Sequence, residues 1–267
     1  MKKLILGSLL IVIFIIGILS LPRAGFASSL WQSADEQLVR GAQLFDDWTK
    51  LVTPAPALEG SHPIWARQET NTLSGVDTYR CVVCHGWDYQ GADGAFRVGS
   101  ANFTGFPGIY AAREMGSDEL IEALTGKADP EHDFSQYLGP EDLEALAAFI
   151  KSGLIDDNLF IDAVSLKVLD GDLENGENLY AAGCAECHGE DGTTINFRYE
   201  GQDIFLGKLA VQDPWRFLHR TRFGTARAPE MTIGAQLGWT EQDGRDVLLY
   251  AQTLPSRLEV IEEPSLG

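Results

Sequence analysis

Two five-residue stretches, CVVCH at 81–85 and CAECH at 184–188, decide how this sequence is interpreted. Between them they contain all four cysteines of the chain. In each stretch two cysteines stand three residues apart, and a histidine follows the second one directly. The same spacing in two places predicts two sites of the same chemistry.

The C-x-x-C-H spacing is that of covalent heme attachment. Two thiols on one helical turn can both bond to the vinyl groups of a single heme, and the histidine that follows can direct its imidazole at the iron. The predicted attachment residues of two heme c groups are Cys81, Cys84, Cys184 and Cys187, and the predicted proximal iron ligands are His85 and His188. A zinc site or a redox dithiol is the alternative, since C-x-x-C alone supports either. The histidine in both motifs favours heme.

The first 27 residues predict export from the cytoplasm. Lys2 and Lys3 precede an uncharged apolar run at 4–21, and Gly25 and Ala27 form a small-residue cleavage site typical of a signal peptide. The run of 18 residues is also long enough to span a bilayer, so a retained membrane anchor is the alternative. In both cases the body is predicted to lie in the periplasm, either free or anchored to the inner membrane.

The composition excludes one class of partner. Residues 28–267 contain 17 basic and 39 acidic side chains, a formal charge of −22. Such a surface repels nucleic acid. The acidity is compatible with solubility outside the cell and with docking to a basic redox protein.

The two halves of the chain resemble each other around the motifs. The stretch NGENLYAAG before the second motif matches RGAQLFDDW before the first in a glycine, a leucine and an aromatic residue. From Gly176 to Cys184 the separation is 8 residues, whereas from Gly41 to Cys81 it is 40. The first half therefore contains an insertion at about 52–80, whose Pro, Gly, Ser and Thr content predicts a loop.

Two predicted helices follow each motif. A middle helix is predicted at 117–126 and at 213–224, because each segment opens with a capping residue and closes on glycine. A final helix is predicted at 139–153 and at 240–254. Their apolar faces should pack on the N-terminal helix and the heme edge of their own half. The residues of these faces are Leu143, Leu146, Phe149 and Ile150 in the first half, and Val247, Leu248, Ala251 and Leu254 in the second.

With these features in this order, each half resembles a class I cytochrome c domain, and the chain resembles the diheme c-type cytochromes built from two of them. The resemblance covers about 35–155 and 172–256. It implies an all-α fold of two tandem domains, each wrapped around a covalently attached heme, after an N-terminal apolar helix. The implied division is a signal peptide or anchor at 1–27, domains at 28–155 and 172–258, a linker at 156–171 and an acidic tail at 259–267.

In this family the loop before the last helix normally supplies a methionine as the sixth iron ligand. Met231 occupies that place in the second half, seven residues after Gly224. In the first half His132 stands there, six residues after Gly126, and both residues follow Pro-Glu. Because neutral imidazole is an ordinary iron ligand, we predict a bis-histidine heme 1 and a His/Met heme 2.

Other residues compete for these roles. His62, in the insertion, is a second candidate for heme 1, and Met115 is expected to be a packing residue. His219 is expected to be a helix-surface residue or a propionate contact. Propionate contacts or plain surface charges are the expected roles of Arg220, Arg222 and Arg227.

Irons with six ligands leave no open position for a substrate, so the sequence predicts an electron carrier with redox-protein partners. A diheme peroxidase, which can release a distal histidine, is the enzymatic alternative, and the cytochrome subunit of a respiratory dehydrogenase complex is another. A diheme thiosulfate dehydrogenase would need a cysteine ligand, and none is left. The insertion, with Trp65 and the nearby aromatics Trp87, Tyr89 and Phe96, is interpreted either as a docking surface or as a cover that shields heme from water.

Overall fold

The computed structural model describes residues 25–198 and 201–256, with side chains from residue 36 onward. Within these ranges the chain is helical, and its only β pairings are isolated bridges. The helices of the first half are α1 (Gly25–Asp47), α2 (Cys81–His85), α3 (Ser117–Leu124) and α4 (Pro140–Ser152). Those of the second half are α5 (Leu173–Gly183), α6 (Ala185–His188), α7 (Leu206–Gln212), α8 (Pro214–Phe223), α9 (Gly234–Leu237) and α10 (Glu241–Ala251). The predicted all-α class is confirmed.

Two predictions concern the ends of the chain. The apolar run at 4–21 and the acidic tail at 259–267 lie outside the described residues. Among the helices that are described, none is long and apolar enough to cross a membrane.

Both halves are built on the same helix crossing. In the first, α1 packs across α4, and in the second α5 packs across α10. At Gly41 an added Cβ atom would lie 1.9 Å from the carbonyl oxygen of Ala145, and at Gly176 it would lie 2.0 Å from that of Asp246. The two glycines that align in the sequence therefore permit the same close approach of two helix backbones.

The predicted apolar faces of the final helices are confirmed. In α4, Phe149 is fully buried and Leu146 is 1% exposed, and in α10 both Val247 and Leu248 are fully buried. Leu254 is partly buried and packs against the same core. Fully burying a side chain of this kind contributes about 1.5–3 kcal/mol, so these faces supply much of each domain's stability.

The middle helix of the second half has a second partner beyond its own domain. α8 begins after Asp213, whose carboxylate accepts from the Arg216 amide, and ends at Gly224. One side of α8 packs against α1 of the first half. The predicted linker at 156–171 is also folded: Ile161 and Val168 form a bridge and both are buried. The two halves thus meet over a packed surface.

Candidate heme-binding sites

The two motifs fold alike. α2 is followed by Gly86 with φ of 77°, and α6 is followed by Gly189 with φ of 83°. An added Cβ would lie 2.7 Å from Asp88 Oδ1 at the first glycine and 2.4 Å from Thr194 Oγ1 at the second. Glycine after the histidine therefore lets the chain turn sharply away from the motif helix.

The cysteine environment does not suit a redox dithiol. None of the four cysteines is paired in a disulfide. Burial raises the pKa of the Cys81 and Cys84 thiols to about 12 and that of Cys184 to about 11. Reactive dithiols require the opposite shift. Across the described residues, no group of three or more His, Cys, Asp or Glu side chains is placed to hold a metal ion, so the zinc alternative gains no support either.

At the first site the rings of His85 and His132 lie close together. Their ring centres are 6.2 Å apart and their planes are inclined at 78°. A metal lies about 2.0–2.1 Å from an imidazole nitrogen, and the ring centre is roughly 1 Å farther away. Two imidazoles on opposite sides of one iron would therefore have centres roughly 6 Å apart. The spacing fits one iron between these rings.

The Nδ1 atom of each ring is hydrogen-bonded to a backbone carbonyl. His85 Nδ1 lies 2.7 Å from the oxygen of Pro107, and His132 Nδ1 lies 3.0 Å from that of Ala123. A carbonyl can only accept, so in both neutral rings Nδ1 carries the proton and Nε2 keeps the lone pair that a metal needs. Burial also lowers the pKa of His85 to about 4, which keeps its ring neutral.

His62, the competing histidine, has a different environment. Its ring stacks on Phe134 with centres 5.3 Å apart and meets the edge of Tyr79 at 4.8 Å. Its Nδ1 accepts from the amide of Ile64, where it caps a short 3-10 helix. Met115 packs against the core of the first half, as expected.

The second site is more open. His188 is half-buried, and burial lowers its pKa. Its Nδ1 is buried, and no acceptor lies within hydrogen-bonding distance in the described part of the chain. Met231 is half-buried in the loop that leads to α9, and its amide donates to Ala228. Cys187 is exposed, whereas both cysteines of the first motif are half-buried.

Both candidate sixth ligands follow a glycine with positive φ. This angle is 76° at Gly126 and 81° at Gly224. An added Cβ would lie 2.8 Å from the Cβ of Asp133 at the first glycine and 3.0 Å from Cγ2 of Ile233 at the second. Each glycine thus lets the ligand loop fold back on the end of the middle helix.

The expectation that His219 lies on the helix surface or beside a propionate is wrong, because the side chain is fully buried between the two halves. Its Nε2–H donates to the carbonyl of Ala42 at 3.1 Å, so the neutral ring accepts at Nδ1 from the Tyr89 hydroxyl at 2.8 Å. Burial lowers its pKa to about 4. Trp215 and Phe223, four residues before and after it, mark the buried stripe in the sequence.

The three arginines form ion pairs instead of a free basic surface. Arg220 binds both carboxylate oxygens of Asp46, at 2.9 and 3.0 Å. Arg227 pairs with Asp47 at 3.1 Å, and Arg222 with Asp157 at 3.4 Å. Sequence reasoning missed the buried carboxylates of the first half, although an acidic pair at the end of an apolar helix was the available signal.

The aromatic residues proposed as a docking surface are buried. Trp87, Tyr89 and Phe96 are 7% exposed or less, and so is Trp65 in the insertion. Trp87 and Tyr89 pack against His219 of α8, so they belong to the contact between the two halves. Docking through these rings is therefore excluded.

Comparison with known proteins completes the description of the sites. The family model described as cytochrome c matches residues 39–153 and 173–255. Each match contains one of the two motifs and one of the two helix crossings. No solved structure matches the chain.

Proposed function

Because this chain belongs to the cytochrome c family and contains two tandem cytochrome c domains, we propose that it binds two heme c groups and relays single electrons between two redox partners. Electron transfer by heme is the property of the family. For this chain we propose the number of hemes, their iron ligands and the direction of electron transfer. The proposed location is the periplasm, with the chain either free or anchored to the inner membrane.

The spacing of the His85 and His132 rings carries the proposal. With Cys81 and Cys84 as thioether anchors, these two histidines would complete the coordination of heme 1. The corresponding groups for heme 2 are Cys184, Cys187, His188 and Met231. When bound, each heme supplies an iron that exchanges one electron between its ferric and ferrous states. Complete coordination at both sites favours a carrier over an enzyme.

The ligand environments support unequal potentials. The carbonyls bonded to His85 and His132 make both imidazoles more basic, which favours ferric iron. The thioether of Met231 is a weak donor, and His188 lacks such a carbonyl partner in the described residues. The greater exposure of the second site acts in the opposite direction, but ligand identity is the larger influence, since it tunes heme potentials over about 0.8 V. The proposed transfer therefore runs from the first site to the second.

Buried contacts support a relay within one chain. Asp46 binds Arg80, which directly precedes Cys81, and accepts from the Thr225 hydroxyl, at the start of the Met231 loop. Asp47 holds Arg227 of the same loop. One end of α1 thus links the motif of the first site to the ligand loop of the second. The chain's own side chains fix the two sites relative to each other.

Ligand variants test the proposal. The ferric protein should show the far-red charge-transfer band of methionine-ligated heme at half the stoichiometry of total heme, and Met231→Ala should abolish it. His132→Ala should leave that band in place and convert the other heme from low spin to high spin. An unchanged low-spin spectrum in His132→Ala would contradict the bis-histidine assignment.

The peroxidase alternative receives no support from these contacts. A peroxidase would have to release His132, whereas its Nδ1 is held by the carbonyl of Ala123, and Arg67 is ion-paired with Asp129 and Glu131 in the loop directly before it. A role as the cytochrome subunit of a larger respiratory complex is compatible with the proposal, because it changes only the partners.

A further inference from the structure

The insertion in the first domain contacts the loop of the candidate ligand His132. The guanidinium of Arg67 is bonded to both carboxylate oxygens of Asp129, with Nη2 2.9 Å from Oδ1, and is also paired with Glu131. These two acids lie three residues and one residue before His132. A forked guanidinium that binds a carboxylate through two bonds fixes orientation as well as distance. Arg67 therefore restrains the loop directly before the ligand.

The same insertion also contacts the other side of the site. The rings of Trp65 and Phe106 lie with centres 6.5 Å apart, and the Thr70 hydroxyl donates to the carbonyl of Phe103 at 2.9 Å. Phe106 directly precedes Pro107, the residue whose carbonyl holds His85. The insertion thus reaches both the segment that fixes His85 and the loop that carries His132.

Its internal contacts show that this part of the insertion is ordered. Trp65 Nε1 donates to the carbonyl of Leu73 at 2.8 Å, and the amide of His62 donates to Thr78 Oγ1 at the same distance. The side chain of Gln68 accepts from the amides of Thr70 and Asn71. We call residues 61–79 the strap.

The second domain provides an internal comparison. Its ligand loop reads APEM where the first reads DPEH, so Ala228 stands in the place of Asp129. In the second domain the glycine and the first cysteine are only eight positions apart, so this domain has no strap. The acid that Arg67 binds through two bonds is thus present only in the domain that has a strap to pair with it.

We propose that the strap covers the edge of the first heme site and that Arg67 is a positioning residue. Arg67 holds the His132 loop in place, so that external ligands do not reach the site. The inference rests on the proposed bis-histidine coordination, which it deepens. Without Arg67, Asp129 and Glu131 would repel each other beside the ligand, and the loop would open more often. The first site therefore transfers electrons without binding external ligands. The second site, with its exposed cysteine, is accessible to partners.

Carbon monoxide binding to the reduced, heme-loaded full-length protein tests the strap. Carbon monoxide can bind ferrous heme only when an axial ligand has left. In Arg67→Ala its association with the first heme should be about twofold to fivefold faster than in the wild type, the range expected on losing an exposed ion-pair network. The far-red band of the methionine-ligated heme should be unchanged, because the second site is not affected. Arg40→Ala is the matched control, since Arg40 forms a similarly exposed pair with Asp142 in the same domain and should not change the rate.

A second variant removes the acids instead of the base. In the double variant Asp129→Asn, Glu131→Gln the ion pairs are lost without the repulsion, so the rate should rise less than in Arg67→Ala. Equal rates in the wild type, both strap variants and the control would overturn the proposal. Rapid binding to the first heme of the wild type would instead show that this heme lacks a firmly held sixth ligand, which contradicts the proposed coordination and not the strap alone.

Discussion

His219 is a buried histidine whose protonation state follows from its two partners. The Ala42 carbonyl requires a proton on Nε2, and the Tyr89 hydroxyl then donates to Nδ1. A histidine on a middle helix beside three arginines resembles a heme contact in the sequence. In the structure it instead joins the two domains.

Removing the Tyr89 hydroxyl tests this role. In Tyr89→Phe the buried Nδ1 of His219 loses its donor, so the free energy of unfolding should fall by about 1–3 kcal/mol. Urea unfolding at neutral pH measures the change. Tyr110→Phe is a suitable control, because Tyr110 is only half-buried and its hydroxyl contacts a partly exposed arginine. If both variants were as stable as the wild type, the hydrogen bond would contribute nothing.

At the scale of elements, each domain depends on one crossing of two helices. Gly41 and Gly176 allow that crossing because any Cβ would overlap a carbonyl of the opposite helix. At a helix position with room for a Cβ, glycine lowers stability, since it has more freedom in the unfolded chain. Gly244 in α10 is such a position, where a Cβ would lie 3.7 Å from a leucine methyl group.

Alanine substitution should therefore have opposite effects at two glycines of the second domain. Gly176→Ala should separate α5 from α10 and lower the free energy of unfolding by about 1–3 kcal/mol. Gly244→Ala should raise it by about 0.5–1 kcal/mol. Thermal and urea unfolding of the heme-loaded protein measure both changes. Destabilisation of the same size in both variants would show that the close approach is not what Gly176 provides.

Much of each domain was predictable because its signals are local. The motifs, the aligned glycines and the apolar faces of α4 and α10 all follow from spacing within one segment. The packing of α8 on α1 was not predictable in this way, because it depends on which domain surfaces meet. For the same reason Asp46 and Trp87 were not assigned to the contact between the domains. His132 and Met231 were identified by comparing two loops, and their ligand roles remain predictions.

In the whole molecule, the contact between the two domains contains a buried carboxylate, Asp46, that is bonded to residues of both domains. Asp46 is fully buried and bonded to Arg80, Arg220 and Thr225. Burial raises the pKa of this carboxyl, but Arg220 and Arg80 more than offset that effect and lower it to about 2. The folded pKa is therefore below the ordinary value. Ionised Asp46 stabilises the fold above about pH 4, and this stabilisation, on the order of 2 kcal/mol, is lost as the pH falls toward 2.

The variant Asp46→Asn should lack this pH dependence. At neutral pH it should be less stable than the wild type by about 3–5 kcal/mol, because two arginines lose the charge they face. The difference should shrink as the pH falls from about 4 toward 2. Urea unfolding at a series of pH values measures it, with Asp142→Asn as a control at a more exposed ion pair. A difference that is constant with pH would show that the charge of Asp46 does not stabilise the contact.

Potentiometric titration of the wild-type protein, followed by its absorption spectrum, measures whether the two heme sites have unequal potentials. We expect two separate one-electron waves of equal amplitude. The far-red band of the ferric methionine-ligated heme should disappear with the wave at higher potential, because His188 and Met231 favour ferrous iron more than His85 and His132 do. A single unresolved wave, or a band that follows the lower potential, would contradict the account.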